Sequence, residues 1–149
     1  MAHPVFTVRA ATWREDQAAL QSVRLPVFVV EQKVDAREEF DSVDLVCQHV
    51  LAEDDKGQAI GTGRIDARGK IGRMAVLPNW RKHGVGRAVL TKTLELARHQ
   101  GLTRVYLHAQ VSAMGFYEMA GFTGYGDRFI EAGIEHLSME LQLLQSSSI

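Results

Sequence analysis

The chain has 149 residues, 46% of them hydrophobic and 23% charged, proportions typical of one globular domain, 1–149, rather than of a disordered chain. Its 17 basic and 18 acidic side chains give a net charge of −1, which does not favour nucleic acid as a partner, and no apolar run approaches the roughly 20 residues that span a bilayer. The single cysteine, Cys47, excludes an intrachain disulfide and a cysteine-rich metal site, and without a leader-type N-terminus we expect a cytoplasmic location and no membrane partner.

The first half of the chain predicts one helix followed by a meander of strands. Residues 5–10 form a strand, and Thr12-Trp13-Arg14-Glu15 has the form of a capping box that begins a helix toward Leu25. Pro26 predicts a break or kink, and the acidic residues of 35–44 predict a solvated loop. Strands then follow at 47–53, 59–67 and up to Val76, with turns at 55–57 and 68–69.

The helix at 84–100 carries the clearest periodicity. Its apolar and charged residues occupy opposite halves of the helical wheel, and Gly101 follows as a C-terminal stop. Beyond it we predict a buried strand at 105–109, a short helix at 112–120, strands at 122–125 and 136–141, and a frayed tail at 145–149. This order predicts an α/β (α+β) domain with a mixed sheet.

The turn that begins this helix carries the strongest functional signal. The run Arg81-Lys82-His83-Gly84-Val85-Gly86-Arg87 follows an apolar strand, so free backbone N–H groups meet the positive end of a helix dipole. Glycines at 84 and 86 let an anion approach the backbone closely. The run predicts a phosphate or pyrophosphate site, and a flexible helix start without a ligand is the alternative.

Three phosphate-binding patterns compete for this run. A Walker P-loop string is absent, and a dinucleotide fingerprint would need a glycine where Val89 stands. Arg81-x-x-Gly84-x-Gly86 instead resembles the Arg/Gln-x-x-Gly-x-Gly/Ala loop of the GNAT N-acetyltransferases. Downstream, Phe116-Tyr117 followed by Gly121-Phe122 is similar to the second motif of that family, in the right order.

The resemblance to this family covers about residues 5–143. Four features resemble the small bacterial branch typified by ElaA and YjcF: the segment 27–34, Glu39-Phe40-Asp41, Asp44 with His49, and Phe129-x-Glu131-x-Gly133-Ile134-x-His136-x-x-Met139. The resemblance implies a GNAT-type central, mixed, mostly antiparallel sheet flanked by helices. It also implies acetyl-CoA as the donor, lying between the strand that ends at Val76 and the strand at 105–109.

The resemblance further implies which residues hold the cofactor. Backbone N–H groups near 82–88 would bind the pyrophosphate, Met74 and Val76 would pair with the pantetheine arm, and an N–H at Ala75 or Val76 would stabilise the oxyanion. Arg81 and Arg87 are alternatively solvated charges, and Ser112 departs from the asparagine of many relatives. The expected cofactor-binding set is Met74, Ala75, Val76, Arg81, Lys82, His83, Gly84, Val85, Gly86, Arg87, Ala88 and Gln110.

The catalytic groups are less determined than the cofactor loop. Tyr117 stands at the family position of the general acid for the departing thiolate, and a phenol, with an ordinary pKa of about 10, is protonated at neutral pH. A core aromatic is the alternative. The candidate bases are Glu31, Asp41, His49 and His136, or a water chain, and both histidines are alternatively hydrogen-bonded strand residues. No His/Glu spacing suits a metal on a helix, so none is expected.

The predicted function is transfer of an acetyl group from acetyl-CoA directly to a primary amine of a small molecule. Direct attack is favoured because no cysteine or serine has a partnered base. The alternatives are a non-catalytic acyl-CoA-binding or regulatory protein, and an acetyltransferase for a peptide or protein amine. The expected partners are the amine and a second copy of the chain in a homodimer.

Overall fold

The computed structural model describes residues 5–143, so the predicted tail at 145–149 lies outside it. A seven-stranded sheet has the order β1-β2-β3-β4-β5-β7-β6. Only β4 and β5 run parallel, and the other neighbours are antiparallel, which confirms the mixed, mostly antiparallel sheet. The strands are β1 (Phe6–Ala11), β2 (Gln48–Asp54), β3 (Ala59–Ile65), β4 (Lys70–Val76), β5 (Arg104–Gln110), β6 (Thr123–Glu131) and β7 (Ile134–Gln142).

Helices cover both faces of this sheet. Val50, Val85 and Val89 share one apolar cluster, whereas Leu51 packs with Leu20 and Trp13 in another. Successive strand residues point to opposite faces, so one set of helices lies on each side. None of the described helices is long and apolar enough to cross a membrane. The helices are α1 (Trp13–Arg24), a π-helical segment (Leu25–Glu31), α2 (Ala36–Glu39), α3 (Val85–His99) and α4 (Met114–Met119), with 3-10 turns at Ser42–Leu45, Pro78–Trp80 and Val111–Ala113.

The start of α1 is capped as predicted, with one change of partner. The Thr12 hydroxyl accepts from the Glu15 backbone N–H at 3.2 Å, but the Thr12 N–H donates to Asp16 at 3.0 Å. Pro26 does not break the helix. Because proline lacks an N–H and disturbs the α pattern, the chain widens into the π-helical segment, closed by the Gln32 N–H on the Val27 carbonyl at 3.0 Å.

The prediction of a solvated acidic loop at 35–44 holds for the exposed Asp35 and Glu38 but is wrong for two other carboxylates. Glu39 and Asp44 are 1% and 0% exposed, and both carboxylates accept hydrogen bonds from Arg24, which is itself 1% exposed. A buried guanidinium requires paired carboxylates. The segment therefore folds into α2 and a 3-10 turn that close over the end of α1.

The amphipathic prediction for α3 is confirmed, since Val85, Val89, Leu90 and Leu94 are among its buried residues. The predicted meander is formed by β2, β3 and β4.

The last two strands are longer than predicted. β6 continues to Glu131 instead of ending at 125, so the β6–β7 hairpin pairs as far as Glu131 and Ile134.

Candidate functional site

The parallel strands β4 and β5 separate early. They pair only at Lys70 with Tyr106 and at Ile71 with Leu107, so a gap opens between the later residues of both strands. The Leu77 N–H donates to the Ile60 carbonyl on β3. Backbone groups alternate sides along a strand, and therefore Ala75 faces β3, while the N–H and carbonyl of Val76 face the gap.

A groove of about 920 Å³ lies on the α3 side of the sheet. It joins the end of β4 to the turn before α3 and to α4, as the divergence of the strands implies. Seven residues of the predicted cofactor set line it: Val76, Arg81, Lys82, Gly84, Val85, Gly86 and Arg87. Its other walls are Leu90, Thr91, Leu94, Phe116, Met119 and Ala120.

The start of α3 offers free donors to this groove. Gly84 is the N-cap, with a φ of +84°, and no side chain caps the helix. The first helical bond runs from the Ala88 N–H to the Gly84 carbonyl at 3.0 Å. The N–H groups of Val85, Gly86 and Arg87 precede it and have no acceptor among the described residues. This arrangement is suited to an anion.

Gly86 keeps the floor of the groove open. A Cβ on Gly86 would lie 3.4 Å from ring carbons of Phe116 and 3.7 Å from a methyl of Val76. These are ordinary contact distances, so packing alone does not demand glycine here. The missing side chain leaves room beside the free N–H groups.

Arg81 and Glu31 are brought together as an ion pair. The two Arg81 Nη atoms donate to the Glu31 carboxylate at 2.7 and 2.6 Å, and Nε donates to the Val76 carbonyl at 3.0 Å. The hydrogen bonds from Arg81 lower the pKa of Glu31, which makes this carboxylate a weaker base. Arg81 thus fastens the end of the π-helical segment to the end of β4.

Tyr117 lies in the core beneath the groove. It is 8% exposed, and its ring meets those of Phe116 and Phe122 edge-on, at centroid distances of 5.0 and 5.7 Å. Burial raises the pKa of Tyr117 to about 12. Its hydroxyl has no hydrogen-bond partner in the described chain, and no fully buried polar side-chain atom among the described residues lacks a partner. The hydroxyl is therefore not fully buried, and it reaches accessible space as a neutral donor.

Two of the candidate bases, His49 and Asp41, serve the packing of the 35–44 segment. His49 is 1% exposed, its Nε2–H donates to the Asp44 carbonyl at 2.9 Å, and its ring lies 5.6 Å from that of Trp13. Burial lowers the pKa of His49. Asp41 accepts from Arg64 at 2.7 Å, and hydrogen bonding to Arg64 lowers its pKa. Neither residue lines the groove.

The remaining predicted cofactor residues lie at the edge of the groove or beyond it. His83 is exposed, with its ring 6.2 Å from that of Trp80, and Ala88 lines a shallower depression of about 480 Å³. Met74 packs in the clusters beneath α3. Gln110 faces away, and its Nε2 donates to the Gln32 side chain at 2.8 Å.

His136 belongs to a cluster that includes residues outside the predicted set. Its Nδ1–H donates to the Ile134 carbonyl at 2.7 Å, and its Nε2 lies 3.8 Å from Glu131. His108 donates from Nδ1 to the other Glu131 oxygen at 3.1 Å, and Phe129 lies against both rings. Glu131 stands in the quoted family motif but not among the predicted site residues; its alternation with Phe129, beyond the predicted strand end at 125, was the available signal.

Among residues 5–143, no three His, Cys, Asp or Glu side chains converge as metal ligands. Burial raises the pKa of Cys47 to about 11, so its thiol is neutral and a poor nucleophile.

Residues 17–143 match the family described as the acetyltransferase (GNAT) domain. YjcF of Bacillus subtilis, named as an N-acetyltransferase, is 36% identical over 121 residues, which cover 78% of this chain and 86% of YjcF. An acyl-CoA N-acyltransferase from Pseudomonas aeruginosa has a similar structure, with a TM-score of 0.81 at 29% identity over 91% of this chain and 99% of that one. Escherichia coli ElaA gives a TM-score of 0.80 at 29% identity, with the same coverage of both chains. The chain therefore belongs to the GNAT family of acetyltransferases, and its relatives there include ElaA and YjcF, as the motifs indicated.

Proposed function

We propose that this acetyltransferase moves an acetyl group from acetyl-CoA directly to a primary amine of a small molecule. The observation that carries the proposal is the groove along α3, which joins uncapped helix N–H groups to the gap between β4 and β5. The description of the Pseudomonas aeruginosa relative as an acyl-CoA N-acyltransferase supports the same donor class.

The pyrophosphate accepts hydrogen bonds from the N–H groups of Val85, Gly86 and Arg87. Lys82 and Arg87 are exposed and make no ion pair within the described chain, so their charges are available to the phosphates. The Ala88 N–H is already bonded to Gly84, which limits Ala88 to van der Waals contact. Arg81 acts by holding the end of β4, since Glu31 occupies its guanidinium.

The pantetheine arm lies in the gap and pairs with backbone groups of β4. Of the two N–H groups considered for the oxyanion, that of Val76 faces the gap and that of Ala75 faces β3. The Val76 N–H is therefore the donor that polarises the thioester carbonyl. A preorganised donor of this kind typically contributes about 2.7–4 kcal/mol to transition-state stabilisation.

The chemical step forms one bond and breaks one. The amine nitrogen attacks the thioester carbonyl carbon, the new C–N bond forms, and the C–S bond breaks. Tyr117, which is protonated far above neutral pH, gives its hydroxyl proton to the departing sulfur. The proton lost by the acylated nitrogen restores the phenol, so the products are the amide and the free thiol.

A compact acceptor side supports a small amine over an extended peptide. The Gln110–Gln32 hydrogen bond of 2.8 Å joins β5 to the end of the π-helical segment. This contact spans the space between β5 and that segment on the α1 face, beside the gap. An extended chain would have to separate these two side chains to enter.

Calorimetric titration with acetyl-CoA and thiol release with an amine panel test the proposal. We expect saturable binding of acetyl-CoA, and release of CoA with small amines but not with lysine-containing peptides. Binding without release for any amine would favour the non-catalytic alternative, and release with peptides alone would favour the peptide acetyltransferase. No binding at near-millimolar acetyl-CoA would overturn the proposal. The homodimer and the cytoplasmic location stay predictions from the sequence.

A further inference from the structure

The acceptor side of the gap carries a second polar cluster, formed by His108, Glu131 and His136. Gln110 pairs with His136 and His108 with Ser138 across β5 and β7, while Phe129 pairs with His136 across β6 and β7. Directly paired strand residues point to the same face. These side chains therefore share one face of the sheet.

This face is the one opposite the cofactor groove. The alternate residues of β5, Val105, Leu107 and Ala109, pack with Leu90 and Tyr117 on the α3 side. The cluster lies on the other side, where Gln110 bonds to Gln32 just after the π-helical segment. It stands beside the unpaired part of β5, on the acceptor side of the proposed thioester position.

The hydrogen bonds of the cluster show which ring nitrogens donate. A carbonyl only accepts, so His136 must donate from Nδ1 to Ile134, which leaves Nε2 with a lone pair in the neutral ring. A carboxylate likewise only accepts, so His108 donates to Glu131. The His136 Nε2 and Glu131 Oε2 atoms are 3.8 Å apart, too far for a direct hydrogen bond but close enough to share one ammonium group.

We infer that Glu131 and His136 bind the ammonium group of the acceptor, with His136 Nε2 taking its proton and His108 holding Glu131 in place. This inference rests on the proposed function and names the acceptor class. The ammonium donates one N–H to Glu131 and one to His136. The proton that the ammonium donates to His136 is transferred to Nε2, which leaves a neutral amine whose lone pair attacks the thioester. His136 then releases this proton to water.

The charges of the cluster restrict the acceptor further. Glu131 is the anionic member, and neither lysine nor arginine belongs to the cluster. A carboxylate next to the amine would lie beside Glu131 and be repelled. Alkylamines and diamines therefore fit the site, whereas α-amino acids do not.

Variants of the β6–β7 hairpin test this inference. Glu131→Gln removes the charge but not the shape, and we expect its KM for 1,4-diaminobutane to rise at least tenfold while its KM for acetyl-CoA stays unchanged. His136→Asn keeps a donor for Ile134 and loses Nε2, so its kcat should fall about 100-fold. Glu135→Gln is the matched control. That carboxylate pairs with Arg128 and is not in the cluster, so both constants should stay within twofold of wild type.

The positioning role of His108 has its own readout. His108→Ala should raise the KM for the diamine, and His108→Asn, which keeps a donor near Nδ1, should restore it. Equal defects in the two variants would point to a merely structural role. Unchanged diamine KM in Glu131→Gln together with unchanged kcat in His136→Asn would overturn the inference.

Imidazole NMR separates failure of the inference from failure of the proposed function. Titration of the wild-type protein with 1,4-diaminobutane should shift the ring signals of His136 and His108, and glycine should not. Absence of the diamine shift would refute the ammonium site even when acetyl-CoA binds. Absence of acetyl-CoA binding with an intact diamine shift would instead refute the donor assignment.

Discussion

Gly86→Ala is the sharpest test of the pyrophosphate position, because folding and binding should respond in opposite directions. The added methyl would meet Phe116 at 3.4 Å and Val76 at 3.7 Å, so the fold has room for it. Alanine stabilises a helix by about 0.5–1 kcal/mol relative to glycine. At about 2–4 °C per kcal/mol for a chain of this size, the Tm should stay equal or rise by up to about 4 °C.

Acetyl-CoA binding should weaken in the same variant. The methyl projects into the groove beside the free N–H groups at the start of α3 and displaces the anion from one of them. A hydrogen bond to a charged group contributes about 1.5–3 kcal/mol, and 1.4 kcal/mol corresponds to tenfold. The Kd for acetyl-CoA should therefore rise about 10- to 100-fold, as measured by calorimetric titration beside a thermal melt.

Gly115→Ala is the matched control for Gly86→Ala. Gly115 lies in the first turn of α4, with no positive φ and no atom within 4 Å of its would-be Cβ, so its Kd should change less than twofold. Gly84→Ala should instead lower the Tm, since a φ of +84° costs a side chain about 1–2 kcal/mol. An unchanged Kd in a folded Gly86→Ala protein would refute the placement of the pyrophosphate at this helix start.

Three further predictions follow from the buried groups. Tyr117→Phe should lower kcat roughly 100-fold and leave the affinity for acetyl-CoA within twofold of wild type. Because the pKa of Tyr117 is about 12, a loss of rate below pH 10 cannot come from ionisation of this residue. Unchanged turnover in the variant would remove Tyr117 as the acid. Burial lowers the pKa of His49, so the unfolded chain takes up the proton first as the pH falls. Stability that is present at pH 7 is therefore lost below about pH 6.5. Thermal melts should show this loss in the wild type but not in His49→Gln, which keeps a donor for the Asp44 carbonyl. Burial alone would raise the pKa of Asp44, but hydrogen bonds from Arg24 and Arg64 lower it overall. Asp44→Asn leaves both guanidinium groups without a full counter-charge, which should cost about 3–5 kcal/mol of stability. A thermal melt in which the Tm falls by much less than about 6 °C would contradict this account.

The parts of the fold that the sequence predicted are those whose signals are local. α3 shows its buried face through a period of 3.6 residues, and Gly84 and Gly86 mark its start without reference to any distant residue. The gap between β4 and β5 followed from the family resemblance and coincides with the end of their pairing at Ile71 and Leu107.

The parts that the sequence did not predict depend on partners far along the chain. Asp44 is buried because Arg24, 20 residues earlier, points into the same space, and an acidic run alone contains no sign of that partner. The predicted strand end at 125 is too early, and Gly126-Asp127, which follows it, has the composition of a turn. In the structure these residues lie where the β6–β7 register shifts between Tyr125 and Phe129, so the strand continues and brings Glu131 to the cluster.

The Arg81–Glu31 pair connects the two sides of the proposed reaction. Glu31 ends the π-helical segment on the proposed acceptor face, whereas Arg81 lines the groove and bonds to the carbonyl of Val76, the residue whose N–H faces the proposed thioester position. Both side chains are about two-fifths exposed, so the pair contributes at most about 1 kcal/mol to stability. We therefore expect its main effect to be geometric, by setting the distance between the proposed acceptor wall and the Val76 N–H. Loss of the pair in Arg81→Ala should then raise the KM for the amine and lower kcat together, although the phosphate-binding N–H groups are intact.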